Sequence, residues 1–267
     1  MLDYNNTPLS ECEGFTPLQM HKIIYYPFDK DCPIIINRLN KEILLSESPI
    51  LKIILELLLT IKTKKIKLTQ NGNLPLKVIK DIYAKNYLPE RWIGSGIVKV
   101  RTETDWNIMH NIKIVLTLAG FIRKQYNYLL LTKKCELLLN KEDYSDIFYQ
   151  FLRAFTLKFN WAYNDLFDDE DLGQLGFLYG LYLINKYGKE INDLKYYTDL
   201  YFSAFPSFVE YDIDDQSMKE SAFHTRLISR FALWFGFAEE EIIKGQGFLE
   251  LEIKIKRTRL LEQLLEN

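Results

Sequence analysis

Cysteine, glycine and proline are all scarce in this 267-residue chain, and each scarcity excludes a class of protein. The 3 cysteines lie far apart, at Cys12, Cys32 and Cys135, and no Cys-x-x-Cys pair exists. An odd number of distant cysteines argues against a disulfide framework and favours reduced thiols in a cytoplasmic protein. The 12 glycines and 8 prolines are too few for a collagen-like or low-complexity disordered chain.

Long apolar runs are also missing. The longest run, Ile50 to Ile61, contains Lys52 and Glu56 and is shorter than the roughly 20 residues that a membrane-spanning helix needs. The first residues are polar and acidic, so we expect no secretory signal. The sequence therefore predicts a soluble, cytoplasmic protein without a membrane partner.

The common motifs of cofactor and metal chemistry are not found. There is no Gly-x-x-x-x-Gly-Lys-Ser/Thr loop, no Gly-x-Gly-x-x-Gly, no Gly-x-Ser-x-Gly and no His-Glu-x-x-His. The 3 histidines fall on separate predicted helices, and the acidic run at 168–171 precedes a predicted helix, where acids favour the helix dipole. We expect no metal and no cofactor, and an enzyme would need a site without a recognisable motif.

Helical spacing of apolar residues dominates the chain, of which 48% is hydrophobic. Helix starts are marked by Thr16-Pro17 with Gln19, by Ser48-Pro49, and by a second capping box at Ser217-x-x-Glu220. The predicted helices are 17–26, 49–61, 75–85, 105–119, 133–139, 143–159, 170–187, 193–204 and 217–235. On the helix at 143–159 and just after it, one face carries the predicted core residues Phe148, Phe151, Phe155 and Phe159.

Short strands interrupt the helices. Residues 66–68 read as a strand, and residues 121–131 read as a hairpin around Gln125–Asn127. Residues 249–257 alternate apolar and charged positions, which predicts a strand with Leu251, Ile253 and Ile255 facing inward. The predicted fold class is mainly α with small β-hairpins (α+β), with winged-helix-like units in front and an aromatic-rich helical part behind.

A strand that ends in threonine and leads into a helix occurs three times, at Thr69, Thr132 and Thr258. The second and third occurrences also follow a helix that ends in Gly-Phe, which is the layout of the closing part of a winged helix. Either duplication of such a unit or independent use of the same strand-to-helix junction would explain the repeated layout.

Three stretches carry a resemblance to a known family. They are Phe15-Thr16-Pro17-Leu18-Gln19-Met20-His21, Leu68-Thr69-Gln70-Asn71-Gly72-Asn73-Leu74-Pro75 and Phe159-Asn160-Trp161-Ala162-Tyr163. The chain resembles a bacterial family of uncharacterised proteins with winged-helix-like segments. The resemblance implies winged-helix-like segments in the front half and no established activity.

Charge divides the chain into a basic front and an acidic back. Residues 1–140 hold 20 basic and 13 acidic residues, and residues 141–267 hold 14 and 23. We therefore predict two domains, a basic winged-helix-like part at 1–140 and an aromatic helical part at 141–267. The basic part could bind nucleic acid, could face the acidic part, or could simply carry solvated lysines.

The basic excess is greatest within residues 62–101. Seven lysines are the candidate nucleic-acid-binding residues: Lys62, Lys64, Lys65, Lys67, Lys77, Lys80 and Lys85. The helix predicted at 105–119, which would precede the hairpin of a winged helix, is apolar almost all round and has Lys113 as its one basic residue, so we expect no direct reading of bases. The leading hypothesis is a non-enzymatic interaction or scaffolding module, and the alternative is a nucleic-acid-binding winged-helix protein that uses the 62–101 surface.

Overall fold

The computed structural model describes residues 4–89, 99–208, 213–244 and 251–265. The helices are α1 (Pro17–Tyr25), α2 (Lys41–Glu47), α3 (Pro49–Thr63), α4 (Leu76–Tyr83), α5 (Asn107–Leu118), α6 (Lys133–Asn140), α7 (Tyr144–Leu157), α8 (Phe177–Tyr187), α9 (Leu194–Ala204), α10 (Ile213–Phe223), α11 (Leu233–Phe235) and α12 (Arg259–Leu265). A π-helical segment, His224–Ala232, joins α10 to α11. The strands are β1 (Ile66–Lys67), β2 (Ile122–Gln125), β3 (Tyr128–Leu131), β4 (Asn192–Asp193), β5 (Ala238–Lys244) and β6 (Leu251–Arg257).

This composition confirms the predicted fold class, mainly α with small antiparallel hairpins. Each sheet has three strands among the described residues. Within those same residues, no helix is both long enough and apolar enough to span a membrane.

The chain groups into two compact units. The central unit is residues 38–159, and the terminal unit combines residues 1–37 with residues 160–267. This grouping differs from the sequence division at residue 140, because α7 packs on α2, α5 and α6 of the central unit. The domain limits 1–140 and 141–267 stay a prediction.

In the central unit, the start of helix α3 is set by residues next to it in the sequence. Ser48 caps α3 by accepting a hydrogen bond from the amide of Leu51 at 3.4 Å, and Pro49 occupies the first helical position. The apolar side of α3 is buried as the spacing predicts, through Ile50, Ile53, Ile54, Leu57, Leu58 and Ile61. This helix forms the main apolar support of the central sheet.

The central sheet has the strand order β1-β3-β2, and all its pairs are antiparallel. Tyr126 and Asn127 join β2 to β3 with φ of 48° and 62°, as a two-residue hairpin turn requires. The inner face packs on α3 and α5 and is buried through Ile66, Ile122, Leu129 and Leu131. Because side chains alternate across a strand, the neighbouring residues form an outer face.

The terminal unit repeats this order of elements. A helix (α8), a short strand (β4), a helix (α9), a long helical stretch from α10 to α11 and a hairpin (β5–β6) follow one another, and the sheet order is β4-β6-β5. The central unit has the same series from α3 to β3, with α4 and α5 in the places of α9 and the α10–α11 stretch. In each unit the last strand leads into a helix, α6 or α12.

The junction between the last strand and the following helix is formed by the same hydrogen bonds in both units. Thr132 donates its hydroxyl hydrogen to the carbonyl of Gly120 at 2.8 Å, and Thr258 donates to the carbonyl of Gly236 at 2.6 Å. Each threonine oxygen also accepts the amide of the third following residue at 3.3 Å, which caps the helix. Both glycines end a helix with positive φ, 72° and 83°.

Two predicted helix starts are wrong. The helix predicted at 170–187 begins only at Phe177, because Gly173 and Gly176 have φ of 83° and 66°, which no α-helix accepts. The helix predicted at 217–235 begins at Ile213, so Ser217 lies inside it and caps nothing. Helix α2 was not predicted from the sequence, although Asn40 caps it through the amide of Ile43.

The tail strand and the aromatic core are largely as predicted. Strand β6 is present from Leu251, whereas positions 249 and 250 of the predicted strand lie outside the described residues, as does the side chain of Leu251. Ile255 is buried and Ile253 is half-buried. The predicted aromatic core is confirmed, because all four of its members are buried: Phe148, Phe151, Phe155 and Phe159.

Candidate nucleic-acid interface

The seven predicted lysines are all exposed, and the structure places four of them at one face of the central sheet. Lys62, Lys64 and Lys65 line a concavity of about 420 Å³ at the end of α3, together with Arg123 of β2. Lys62 donates a hydrogen bond to the Oδ1 atom of Asn140 at 2.8 Å. These four cations give the concavity a strongly positive rim.

Strand register assigns further residues to the outer face. Lys67 lies opposite Tyr128, which lies opposite Gln125. Arg123 lies opposite Leu130 and donates a hydrogen bond to the Oε1 atom of Gln125 at 2.6 Å, which places both side chains on the same face. The outer face therefore combines cations with an aromatic ring and a half-buried leucine.

A second concavity of about 420 Å³ adjoins the first on this face. It is lined by Lys65, Gln125, Tyr126, Tyr128 and Leu130. The two concavities share Lys65 and Leu130, so they lie side by side. The ring of Tyr126 at the hairpin turn is 89% exposed. We call the two concavities together the sheet groove.

The other three predicted lysines lie on a different surface. Lys77 and Lys80 are exposed on α4, and Lys85 follows this helix and forms an ion pair with Glu56 at 3.2 Å. That hydrogen bond to Glu56 raises the pKa of Lys85. Helix α4 packs on α3, which supports the inner face of the sheet, so these lysines do not line the sheet groove.

Helix α5 precedes the hairpin and has one basic residue, Lys113, which is bound inside the unit. The Nζ atom of Lys113 lies 2.6 Å from the Oε1 atom of Glu103 and donates to the carbonyl of Gly72 at 3.0 Å. Glu103 is fully buried and also contacts His110 Nδ1 and the amide of Leu74, both at 2.6 Å. Lys113 is therefore held away from any ligand.

The charge of Glu103 is stabilised by its three partners. Burial alone would raise the pKa of this carboxyl group, but the hydrogen bonds from His110, Lys113 and the amide of Leu74 hold the pKa below its usual value. Glu103 therefore stays ionised at neutral pH and fixes the start of α5 against the loop before α4.

Helix α5 presents little to a ligand. Only Thr117 and Leu118 are exposed along its length, and both lie in its last turn. Neither residue can make the bidentate contacts with which Arg, Asn or Gln side chains read base edges in a major groove. The prediction that this helix is largely buried is confirmed, which removes the usual base-reading element.

The charges of the two units are opposite. By the limits of the structural units, the central unit has 21 basic and 11 acidic residues and the terminal unit has 13 and 25. The net charges are therefore +10 and −12. The terminal hairpin carries exposed acids, Glu239 and Glu241, where the central hairpin carries Arg123 and Gln125. The positive net charge is thus confined to the central unit.

Within the described ranges, no group of three His, Cys, Asp or Glu side chains is close enough to hold a metal ion. The three cysteines are buried, and burial raises the pKa of each thiol.

Sequence reasoning missed the aromatic and arginine members of the sheet groove. Arg123, Tyr126 and Tyr128 belong to the predicted hairpin, but their common face follows only from the pairing of β3 with both β1 and β2. Alternation within the hairpin could have grouped Arg123 with Gln125. No local pattern could have placed Lys65 beside Leu130.

No protein-family model, no curated protein and no solved structure matches this chain. The function must therefore be argued from the residues and geometry of the chain itself.

Proposed function

We propose that the central unit is a winged helix that binds nucleic acid through phosphate contacts in the sheet groove. The order helix, strand, two helices and a hairpin, with the first strand paired to the last, is the arrangement of a winged helix. The observation that carries the proposal is the grouping of Lys62, Lys64, Lys65 and Arg123 around one concavity. A row of cations on a unit of net charge +10 matches a phosphate backbone.

The proposed binding is independent of base sequence. Lysines act as point charges on phosphates, and such contacts fix a protein on nucleic acid without reading it. Because α5 exposes only Thr117 and Leu118, it adds no base-edge contacts. Affinity should therefore come mostly from the release of counterions and should fall steeply as salt rises.

The test is a salt series with labelled oligonucleotides, followed by fluorescence anisotropy. The triple variant Lys64→Ala, Lys65→Ala, Lys67→Ala should bind more weakly and reduce the slope of log affinity against log salt by about 2 to 3 in total, since each lost phosphate contact removes about 0.7–0.9. Its melting temperature should stay near that of the parent, because all three side chains are exposed.

Two charge-matched controls locate the surface. The triple variant Lys77→Ala, Lys80→Ala, Lys85→Ala changes the predicted lysines of the α4 surface, and a third variant replaces exposed lysines of the terminal unit, Lys30, Lys189 and Lys256, with alanine. Both should keep most of the salt slope. Equal losses in all three variants, or no binding by the parent at low salt, would refute the proposed surface.

An interaction or scaffolding role is a second candidate, and one observation in the terminal unit favours it. The side chain of Leu166 is 95% exposed, yet its neighbour Asp165 is fixed by the fully buried Arg226 through bonds of 2.8 and 2.9 Å. Single exposed apolar side chains are common on protein surfaces, so the fixed position of Leu166, and not its exposure alone, is what favours a contact with another protein. Concentration-dependent association in sedimentation, absent from Leu166→Ser, would support self-association; a monomeric parent would count against it.

A further inference from the structure

The sheet groove has two chemically different ends. Its basic end carries Lys62, Lys64 and Arg123, and its aromatic end carries Tyr126 and Tyr128. Lys65 and Leu130, which line both concavities, lie between the two ends. A ligand that follows this groove meets cations and rings along the same path, which a purely electrostatic surface would not provide.

We infer that the ligand of the sheet groove is single-stranded nucleic acid, whose bases stack on Tyr126 and Tyr128 while its phosphates contact the lysines. This inference rests on the proposed function and specifies its substrate. Rings on an open sheet face bind unpaired bases because every base offers a flat π surface when it is not stacked in a duplex. The exposed ring of Tyr126 and the half-buried ring of Tyr128 correspond to at most about two stacked bases.

Duplex binding fits the same surface poorly. A winged helix that binds duplex needs a helix or a hairpin that enters a groove. Here α5 exposes only Thr117 and Leu118, and β2 and β3 are joined by a turn of only two residues, Tyr126 and Asn127. The turn lies level with β1, since Asn127 donates a hydrogen bond to the carbonyl of Leu68 at 2.9 Å. The hairpin therefore does not project beyond the sheet.

The charged groups of the groove are placed so that the phosphate backbone of a bound strand would run beside the rings of Tyr126 and Tyr128. Lys67 lies directly opposite Tyr128 in the sheet, and Lys65 lines the concavity that holds both tyrosines. Glu136 is the one acid among the residues that line the groove. Phosphates are thus expected along Lys65 and Lys67 on the β1 side of the sheet, and bases over Tyr128 and toward the hairpin turn.

The experiment measures binding of the full chain to labelled 15-nucleotide oligothymidylate, to oligouridylate of the same length and to a blunt duplex of 15 base pairs, at one salt concentration. A single strand should bind at least about tenfold more tightly than the duplex, and the tighter of the two single strands identifies DNA or RNA as the source. Equal or tighter binding of the duplex would overturn the inference.

Ring-deletion variants provide the second arm. Tyr126→Asn suits the positive φ of 48° at this position, and Tyr128→Thr suits a strand, so both remove a ring without disturbing the backbone. Each should weaken single-strand binding by about 5- to 150-fold, as loss of one base stack does, and should leave the salt slope unchanged. Tyr126→Phe and Tyr128→Phe keep the ring and should bind like the parent.

These outcomes separate the inference from the proposed function. If ring deletion changes nothing while Lys64→Ala, Lys65→Ala, Lys67→Ala still weakens binding, the groove binds phosphates without stacking, and only the single-strand inference fails. If the parent binds none of the three oligonucleotides at low salt, both fail. Melting temperatures of all variants confirm that a loss of binding is not a loss of fold.

Discussion

Glu103 is the buried charge on which the start of α5 depends. Its carboxylate is fully buried and has contacts at 2.6 Å with His110, Lys113 and the amide of Leu74. A buried carboxylate is tolerated only when its partners satisfy it, and here three donors do so. The same contacts bind Lys113, so one residue both supports the fold and removes a cation from the surface of α5.

Replacing Glu103 with glutamine tests whether the charge of this buried carboxylate stabilises the fold. The variant leaves Lys113 buried without its counter-charge and should lose about 3 kcal/mol of unfolding free energy at pH 7. Because the pKa of Glu103 is lowered in the folded state, its contribution is complete above the unfolded pKa of about 4.3 and is lost as pH falls through the lowered folded value. Urea unfolding from pH 7 to pH 3 should show the difference between parent and variant shrinking only below about pH 4. A constant difference over this range would contradict the charge argument.

A substitution at Phe151 tests the aromatic core of α7 through its effect on the unfolding free energy. Its ring is fully buried, and its centroid lies 6.4 Å from that of Phe155 on the same helix. Phe151→Ala should cost about 3–5 kcal/mol, because it removes buried apolar surface and leaves a cavity. Leu157→Ala, at an exposed position of the same helix, should cost less than about 1 kcal/mol. Calorimetric melting of both variants checks the contrast; a similar small loss in both would exclude Phe151 from the core.

At the scale of elements, starts set by local residues could be predicted and starts set by distant contacts could not. Thr16 forms a complete capping box with Gln19, so α1 begins where its own sequence predicts. The helix predicted from residue 170 fails because Gly173 and Gly176 have positive φ. The turn before them is held by Arg226, whose guanidinium group donates hydrogen bonds to the carbonyls of Phe167, Asp169 and Leu172. The two glycines are a local signal of this break, whereas Arg226 lies 54 to 59 residues away and no local pattern reveals its contacts.

The candidate site likewise contains residues that could be predicted from the sequence and residues that could not. Four of its lysines could be predicted, because they cluster within a few residues around the end of α3 and β1. Their separation from Lys77, Lys80 and Lys85 could not, since it depends on the packing of α4 against α3. The tyrosines were missed for a related reason: which side of a hairpin faces solvent depends on its partners in the fold.

The repeated joint offers a prediction shared by two elements. Thr132→Ala and Thr258→Ala should each destabilise the start of the following helix by about 1–2 kcal/mol, since each removes a cap and a second hydrogen bond to a glycine carbonyl. Hydrogen–deuterium exchange should rise by about 5- to 30-fold in α6 for the first variant and in α12 for the second. Thr132→Ser and Thr258→Ser keep the hydroxyl and should exchange like the parent. If exchange rises in only one of the two alanine variants, the two strand-to-helix junctions are not equivalent.

At the scale of the whole molecule, a net charge of −2 conceals two strongly charged units. The central unit carries +10 and the terminal unit −12, although the two share the same order of helices and strands. The order of elements therefore cannot by itself determine what either unit binds, and surface charge is the property that distinguishes them. In the central unit the cations gather at the sheet groove, whereas the corresponding hairpin of the terminal unit exposes Glu239 and Glu241.

This division of charge predicts how ionic strength acts on binding. Neutralising three exposed acids of the terminal unit with Glu190→Gln, Glu239→Gln and Glu241→Gln raises the net charge from −2 to +1 but leaves the sheet groove intact. If these acids act on the ligand only through the long-range field, the variant should bind oligothymidylate more tightly at 0.01 M salt, where the Debye length is about 30 Å. It should match the parent within about twofold at 0.15 M, where that length is about 8 Å. Anisotropy titrations at both salt concentrations measure this, and an equal gain at 0.15 M would mean that the acids lie close to the bound strand.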